Sequence, residues 1–333
     1  MSDIAVSISC LTFNHEKYVR KTFDGILAQK TNFKFEVLVH DDASTDGTQD
    51  IIREYEEKYP DIFKPIYQKE NQYSKGTRIS MTYIFPRIQG KYLAYCEGDD
   101  YWMDENKLQK QYDLMEAHPE CSMCTHIVNM ISEDESSILG QIPKNPFKEG
   151  VVSEEEFLRK ELIEGWASQT TSFFIRSQLI KDYTEEYPLF MRELKVGDFP
   201  TVLYMITRGK VYFMHEVMSC YRIGAQSSYR ERRKRDSFIS LRHFYSQLIA
   251  IEEYNRYTQK KYDQIIKTFQ CIKMEQVQKL EKELMKEYEG AFLKEIYGRG
   301  PLSVRQRISY FVRKNTPHFY HFMVYLYEKF ANR

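Results

Sequence analysis

The chain predicts an α/β fold, an open Rossmann-like mixed sheet flanked by helices with a C-terminal helical extension, and three observations carry that expectation. Through the N-terminal third, short β-branched runs alternate with amphipathic helical stretches, the pattern of a parallel sheet covered by helices. Acidic clusters follow two of those runs, where open sheets bind their ligands. From about Arg230 onward, apolar residues recur at helical spacing almost to the end.

In chain order, strands are read at Ala5 to Leu11, Phe35 to His40, Phe63 to Gln68 and Tyr92 to Cys96. Val19, Phe23, Ile26 and Leu27 give a helix between the first two, and Ile51, Ile52 and Tyr55 give another before the third. From about Ser122 the stretches SMCTHIVNMI and SQTTSFFIR read as further strands that extend the sheet. Between them a helix opens at a capping box, Ser153 with Glu156. RIGAQSSY reads as a loop, and the division falls there, with one domain over residues 1–229 and a helical extension over 230–333. In the extension Ile265, Phe269, Ile272, Leu280, Leu284 and Tyr288 form a stripe that needs a partner surface, either the preceding domain or a second subunit.

At 333 residues, with 42% hydrophobic and 29% charged, the chain has the composition of a globular protein. Lys plus Arg and Asp plus Glu both total 48, which gives no electrostatic case for a nucleic-acid partner. MSDIAVSISCLTFN lacks the layout of a secretory signal and no apolar run is long enough to span a bilayer, so the expected location is the cytoplasm. The six cysteines are expected to be reduced core thiols. The Cys121-x-x-Cys124 pair has no second pair beside it to complete a zinc site.

Two strand tips carry chemistry. The first strand ends in Leu11, Thr12, Phe13 and Asn14, and the second in His40, Asp41, Asp42, Ala43, Ser44, Thr45, Asp46 and Gly47. An aromatic such as Phe13 can stack on a nucleobase, and a carboxylate such as Asp42 can accept the imide proton of uracil or thymine; guanine and cytosine offer donors too. A simpler role for Ser44 to Gly47 is capping the next helix. The fourth strand ends in Glu97, Gly98, Asp99 and Asp100. Three carboxylates so close repel one another unless a cation or a proton sits among them. Hard oxygen ligands suit Mn²⁺ or Mg²⁺, which keeps waters and binds substrate phosphate oxygens.

Taken together, VSISCLTFN, FEVLVHDDASTDGT and GKYLAYCEGDDYW, in this order and at this spacing, resemble the family-2 glycosyltransferases with a GT-A fold, over residues 4 to about 115. The resemblance implies that Thr12, Phe13, Asn14, Asp41 and Asp42 surround the nucleotide, that Asp99 contacts ribose and metal, and that Asp100 holds the metal at the diphosphate. Glu97 stands where the family commonly has Asp. More loosely, GDFPTVLYMITRGKVYFMHEVMSCYR resembles the segment that supplies the general base, here Asp198, with Glu193 as the runner-up. Capping of the following helix is the simpler role for Asp198. Many relatives place a metal-binding histidine shortly after the Tyr-Arg pair, whereas here Ile223, Gly224, Ala225 and Gln226 follow Arg222, so the third protein ligand is unassigned.

The implied activity is inverting transfer of one sugar from a nucleotide-diphosphate donor, UDP-sugar favoured, to an acceptor hydroxyl on a lipid-linked or growing glycan. A silent sugar-nucleotide-binding scaffold is the alternative from another class. A nucleotidyltransferase or a dinucleotide dehydrogenase would need a Gly-rich loop after a strand, and none occurs. Residues 299–333 hold seven Lys or Arg against one Glu among many aromatics, which suits contact with anionic lipid as well as packing onto the domain.

Overall fold

The computed structural model describes residues 3–192, 194, 196–224 and 229–296. It begins β1 (Ile4–Thr12), α1 (Val19–Leu27), β2 (Lys34–Asp41), α2 (Thr48–Lys58), β3 (Phe63–Tyr67) and β4 (Tyr92–Tyr95), so the four expected strands form nearly end for end. β1 pairs in parallel with β2 and β4, and β2 with β3. Parallel neighbours need crossovers, and α1 and α2 provide them because each has one apolar face. Val19, Phe23 and Ile26 of α1, with Ile52 and Tyr55 of α2, bury against Val6, Ile8, Val37 and Val39 of the sheet.

The chain continues through β5 (Tyr101–Trp102), α3 (Lys107–Ala117), β6 (Cys121–Ser132), β7 (Ile138–Ile142), β8 (Gly150–Val152), α4 (Glu154–Arg159), β9 (Phe174–Arg176), α5 (Ser177–Glu186), α6 (Leu189–Arg192), α7 (Asp198–Arg208) and β10 (Lys210–Ile223). The sheet runs β3-β2-β1-β4-β9-β6-β10-β5. It is mixed because β9 enters antiparallel between β4 and β6, while β6 and β10 run parallel to each other. SQTTSFFIR gives a strand only at its end. The Gln169 side chain accepts from the Thr171 N–H at 2.7 Å and curls Thr170–Ser172 into a 3₁₀ turn instead. The expected cap of α4 is present, with Ser153 Oγ accepting from Glu156 N at 3.3 Å.

α8 (Tyr229–Arg235), α9 (Ser237–Tyr257) and α10 (Asp263–Ile296) follow. The stripe on α10 finds its partner in the same chain: Ile265, Ile266 and Phe269 join Phe190, Leu203, Tyr204, Ile251 and Tyr254 in one continuous core. Phe269 stacks on Phe199 with ring centroids 6.4 Å apart, and further along Val277 and Leu280 pack on Leu241 and Phe244. The side chains of Leu284 and Tyr288 and the basic, aromatic segment 299–333 lie outside the described residues. Among the described residues no helix is long and apolar enough to cross a membrane. Cys10, Cys96, Cys121, Cys124 and Cys220 are buried free thiols, and Cys271 is free and exposed.

Candidate active site

The carboxyl ends of β1, β2 and β4 converge. Thr12 is in register with Asp41, and Asp42 N donates to Thr12 O at 3.0 Å. Beyond β4 the chain stays beside β1, with Cys96 N bonded to Ser9 O and Gly98 N to Leu11 O at 2.9 Å. That approach needs a glycine, because a Cβ on Gly98 would fall 2.6 Å from Thr12 Cγ2 and 2.8 Å from His15 Nδ1. The turn Glu97–Asp100 is then pinned from α1, where Thr22 Oγ1 donates to Asp100 O at 2.6 Å.

On the β1–β2 side, Phe13 and Asn14 are half-buried, and Asn14 adopts the left-handed φ of 56°. Asn14 Oδ1 accepts from Thr45 N at 2.8 Å, which ties the two tips together. Asp41 turns inward: it accepts from Thr12 Oγ1, Ser44 N, Ser44 Oγ and Gln49 Nε2, so the protein itself consumes its carboxylate. Asp42 accepts one backbone N–H on each oxygen, from Gln72 at 2.7 Å and Tyr73 at 3.0 Å, and keeps lone pairs for a further donor. The N-cap of α2 is Gly47, and Asp46 before it accepts from Thr48 N at 3.0 Å.

The acidic pair sits one tip further along. Asp100 is 2% exposed and accepts from the backbone N–H of Arg222 at 2.9 Å. Burial, then the charge of Asp99, pushes its carboxyl well above the usual range, against the opposing pull of that N–H. Asp99 Oδ2 stands 3.9 Å from His15 Nε2. Arg222 is itself buried, and its guanidinium donates to Asp99 O at 2.9 Å, to Glu133 O at 2.7 Å and to Glu135 Oε1 at 2.7 Å. It also lies 4.6 Å over the Tyr18 ring, and Tyr18 donates to Glu133 at 2.7 Å. The end of β10 is therefore bolted to the acidic turn and to the β6–β7 hairpin.

Asp198 opens α7 behind the N-cap Gly197, so it stands in the first turn and is not itself the cap. Its side chain is exposed, and the protein packed around the start of α7 raises its carboxyl. The same field reaches its neighbours. Glu97 is pushed up to about 8 by burial and Asp99, with Asp198 contributing, and Glu161 up to about 7 by burial, again with Asp198 contributing. Glu193 and Gln226 lie outside the described residues.

Among the described residues, no three His, Cys, Asp or Glu side chains come close enough to hold a metal by themselves. The residues present fit a hard divalent cation bound through two carboxylates, Asp99 and Asp100, with water and phosphate oxygens completing the shell. Burial, and after it the charge of Asp99, raises both the Asp100 and the Glu97 carboxyls, and a bound cation would offset that cost. Sequence reasoning missed the parts played by Glu161, Tyr18, Glu133 and Glu135. They lie on unrelated segments with no local signature, and only Arg222 carried a signal, as half of the Tyr-Arg pair.

Comparison with known proteins bears on the family and the fold. An uncharacterized protein of Mycobacterium bovis is 34% identical over 237 residues, covering 69% of this chain and 63% of the relative, so the chain spans under two thirds of that protein's length. An Escherichia coli protein named UDP-Glc:alpha-D-GlcNAc-diphosphoundecaprenol beta-1,3-glucosyltransferase WfaP is 31% identical over 111 residues, 33% of this chain and 41% of that one. The mannosyltransferase PcManGT from Pyrobaculum calidifontis, solved with GDP-Man and Mn²⁺, superposes with a TM-score of 0.54 at 15% identity, covering 97% of this chain and 84% of that one; the likeness is one of fold, GT-A. Residues 7–183 match the family described as Glycosyl transferase family 2, and the chain belongs to that family.

Proposed function

We propose that this chain transfers a single sugar, with inversion, from a nucleotide-diphosphate donor to an acceptor hydroxyl in the assembly of a surface polysaccharide or lipopolysaccharide. The observation that supports the reading is that Asp198, exposed at the start of α7, lies near enough to the Glu97–Asp100 turn for its charge to help raise Glu97. In the reading, Asp198 takes the proton of the acceptor hydroxyl. The freed oxygen pair attacks the anomeric carbon, and the nucleoside diphosphate leaves with the electrons of the broken C–O bond. The chemistry that Mn²⁺ or Mg²⁺ held by Asp99 and Asp100 supplies is stabilisation of charge on the departing diphosphate. A single base and no covalent intermediate imply inversion.

Phe13 and the remaining lone pairs of Asp42 suit a uracil ring, and the UDP-Glc in the name of the Escherichia coli relative supports a UDP-sugar as donor. That name also supports a diphosphate-linked lipid acceptor, which would be met at the cytoplasmic face of a membrane. The test is nucleoside-diphosphate release from UDP-glucose, UDP-N-acetylglucosamine and GDP-mannose with Mn²⁺, followed by NMR of the product's anomeric configuration. Release from one donor, lost in Asp198→Asn, supports the reading. No release from any donor, or full activity of Asp198→Asn, overturns it.

A further inference from the structure

The chain has two tryptophans, and they differ sharply. Trp102 is 3% exposed and donates to Thr171 O, whereas Trp166 is 43% exposed. Trp166 is also held in an uncommon backbone state. After α4 the helix widens into a π turn, Lys160–Gly165, and ends in two consecutive left-handed residues, Gly165 at φ 82° and Trp166 at φ 55°. A bulky L-residue avoids that region unless its surroundings impose it, and such positions gather at ligand sites. Here Glu161 imposes it by accepting from the N–H of Ala167, the next residue, at 2.9 Å.

The position of the indole follows from its two anchors. On one side, Glu161 lies close enough to Asp198 to feel its charge. On the other, the indole stands edge-on to Tyr221, with centroids 6.3 Å apart and planes at 77°. Tyr221 precedes Arg222, whose N–H grips Asp100. Trp166 therefore packs on the residue that precedes the clamp on Asp100, and the turn that carries it follows Glu161, which feels the charge of Asp198. The nucleobase side is elsewhere, at the tips of β1 and β2.

We propose that Trp166 is the platform on which the acceptor sugar ring lies while Asp198 takes its hydroxyl proton, an inference that rests on the transferase reading. The chemistry fits a pyranose. One face of the ring presents C–H groups that pack on the electron-rich indole face, and its edge keeps hydroxyls free to reach a carboxylate. Glu161 acts here as a positioning residue, through Ala167.

The test uses the full chain with its stabilising nucleoside diphosphate and Mn²⁺, and methyl glycosides of glucose, galactose, N-acetylglucosamine and mannose as probes. Because Trp102 is buried, acrylamide quenching of intrinsic fluorescence reports chiefly on Trp166. At least one glycoside should reduce that quenching about twofold, saturably. In the release assay, Trp166→Gly should raise the half-saturating concentration of that glycoside at least about tenfold, with nucleotide binding unchanged, and Trp166→Phe should recover part of the loss. Glycine suits φ 55°, so Trp166→Gly should melt no lower than the parent, which separates a binding role from a structural one. An unchanged half-saturation in Trp166→Gly overturns the proposal, as does a nucleotide-competent protein whose Trp166 no glycoside protects. A parent protein that binds no nucleoside diphosphate overturns the transferase reading itself, and this inference with it.

Discussion

The backbone N–H of Arg222 donates to Asp100 Oδ1 at 2.9 Å while the guanidinium of the same residue donates to the carbonyl of Asp99. One residue at the end of β10 thereby fixes both halves of an acidic pair that belongs to the tip of β4. Its remaining donors go to Glu133 and Glu135, so the β6–β7 hairpin shares the joint.

Arg222→Ala should therefore destabilise the fold by about 3 kcal/mol, since it leaves the carbonyls of Asp99 and Glu133 without the guanidinium and Glu135 with Lys21 alone. Arg222→Lys keeps the charge but not the planar fork and should fall between parent and alanine. Urea titration reads both. An alanine variant with the parent midpoint would mean that the joint does not hold the turn.

Asp198→Asn should lower turnover by about 10²–10⁴-fold while leaving nucleotide affinity intact. Burial raises the Asp198 carboxyl, so the rate of the parent should fall, as pH drops, through a pKa above the ordinary carboxylate range. A pH–rate profile with an acid limb at the ordinary Asp value would contradict the placement of this base.

The two adjacent aspartates after β2 should separate cleanly. Asp41→Ala removes a buried acceptor of four internal hydrogen bonds and should cost about 1–3 kcal/mol of stability. Asp42→Ala frees the backbone of Gln72 and Tyr73 and removes the candidate partner of the base, so it should chiefly weaken nucleotide binding. Thermal melts with and without nucleotide distinguish the two outcomes, and a reversal of the pattern would exchange their roles.

Lys107 gives a pH prediction away from the site. It is fully buried beside Trp102 and Gln111, and burial lowers its ammonium to about 7. Between about 7 and the unfolded value near 10.5, the unfolded chain carries the extra proton, so stability should rise with pH across that window. Below about 7 the folded protein must carry a buried charge, and the gain is lost. Lys107→Met should abolish the slope and stabilise the protein at pH 7 by about 1–4 kcal/mol. Denaturation midpoints at pH 6, 8 and 10 check both statements.

The first four strands were legible because each is a β-branched run bounded by turn residues and fed by an amphipathic helix, so local pattern and burial agree. The ends of SQTTSFFIR and of α4 were not. A side-chain bond from Gln169 and a π turn before Trp166 overrode the local pattern there, and neither has a sequence period. Acidic positions were legible as clusters, but their division of labour was not. Whether a carboxylate faces inward, as Asp41 does, or stays reachable, as Asp198 does, depends on partners on other strands. The stripe on α10 was legible as needing a partner; that the partner is Phe199 and the core beneath it follows from the path of α7.

The most direct test of the central claim is a thermal-shift panel of UDP, GDP, dTDP and CDP, each with and without Mn²⁺, on the parent chain and on Asp100→Ala. A nucleotide at about a hundred times its dissociation constant adds about 2.7 kcal/mol to stability. One nucleotide should raise the melting temperature of the parent only with Mn²⁺, and Asp100→Ala should lose that rise. No shift with any nucleotide, or an equal shift in the variant, would contradict the assignment of the Asp99–Asp100 turn as the donor diphosphate site.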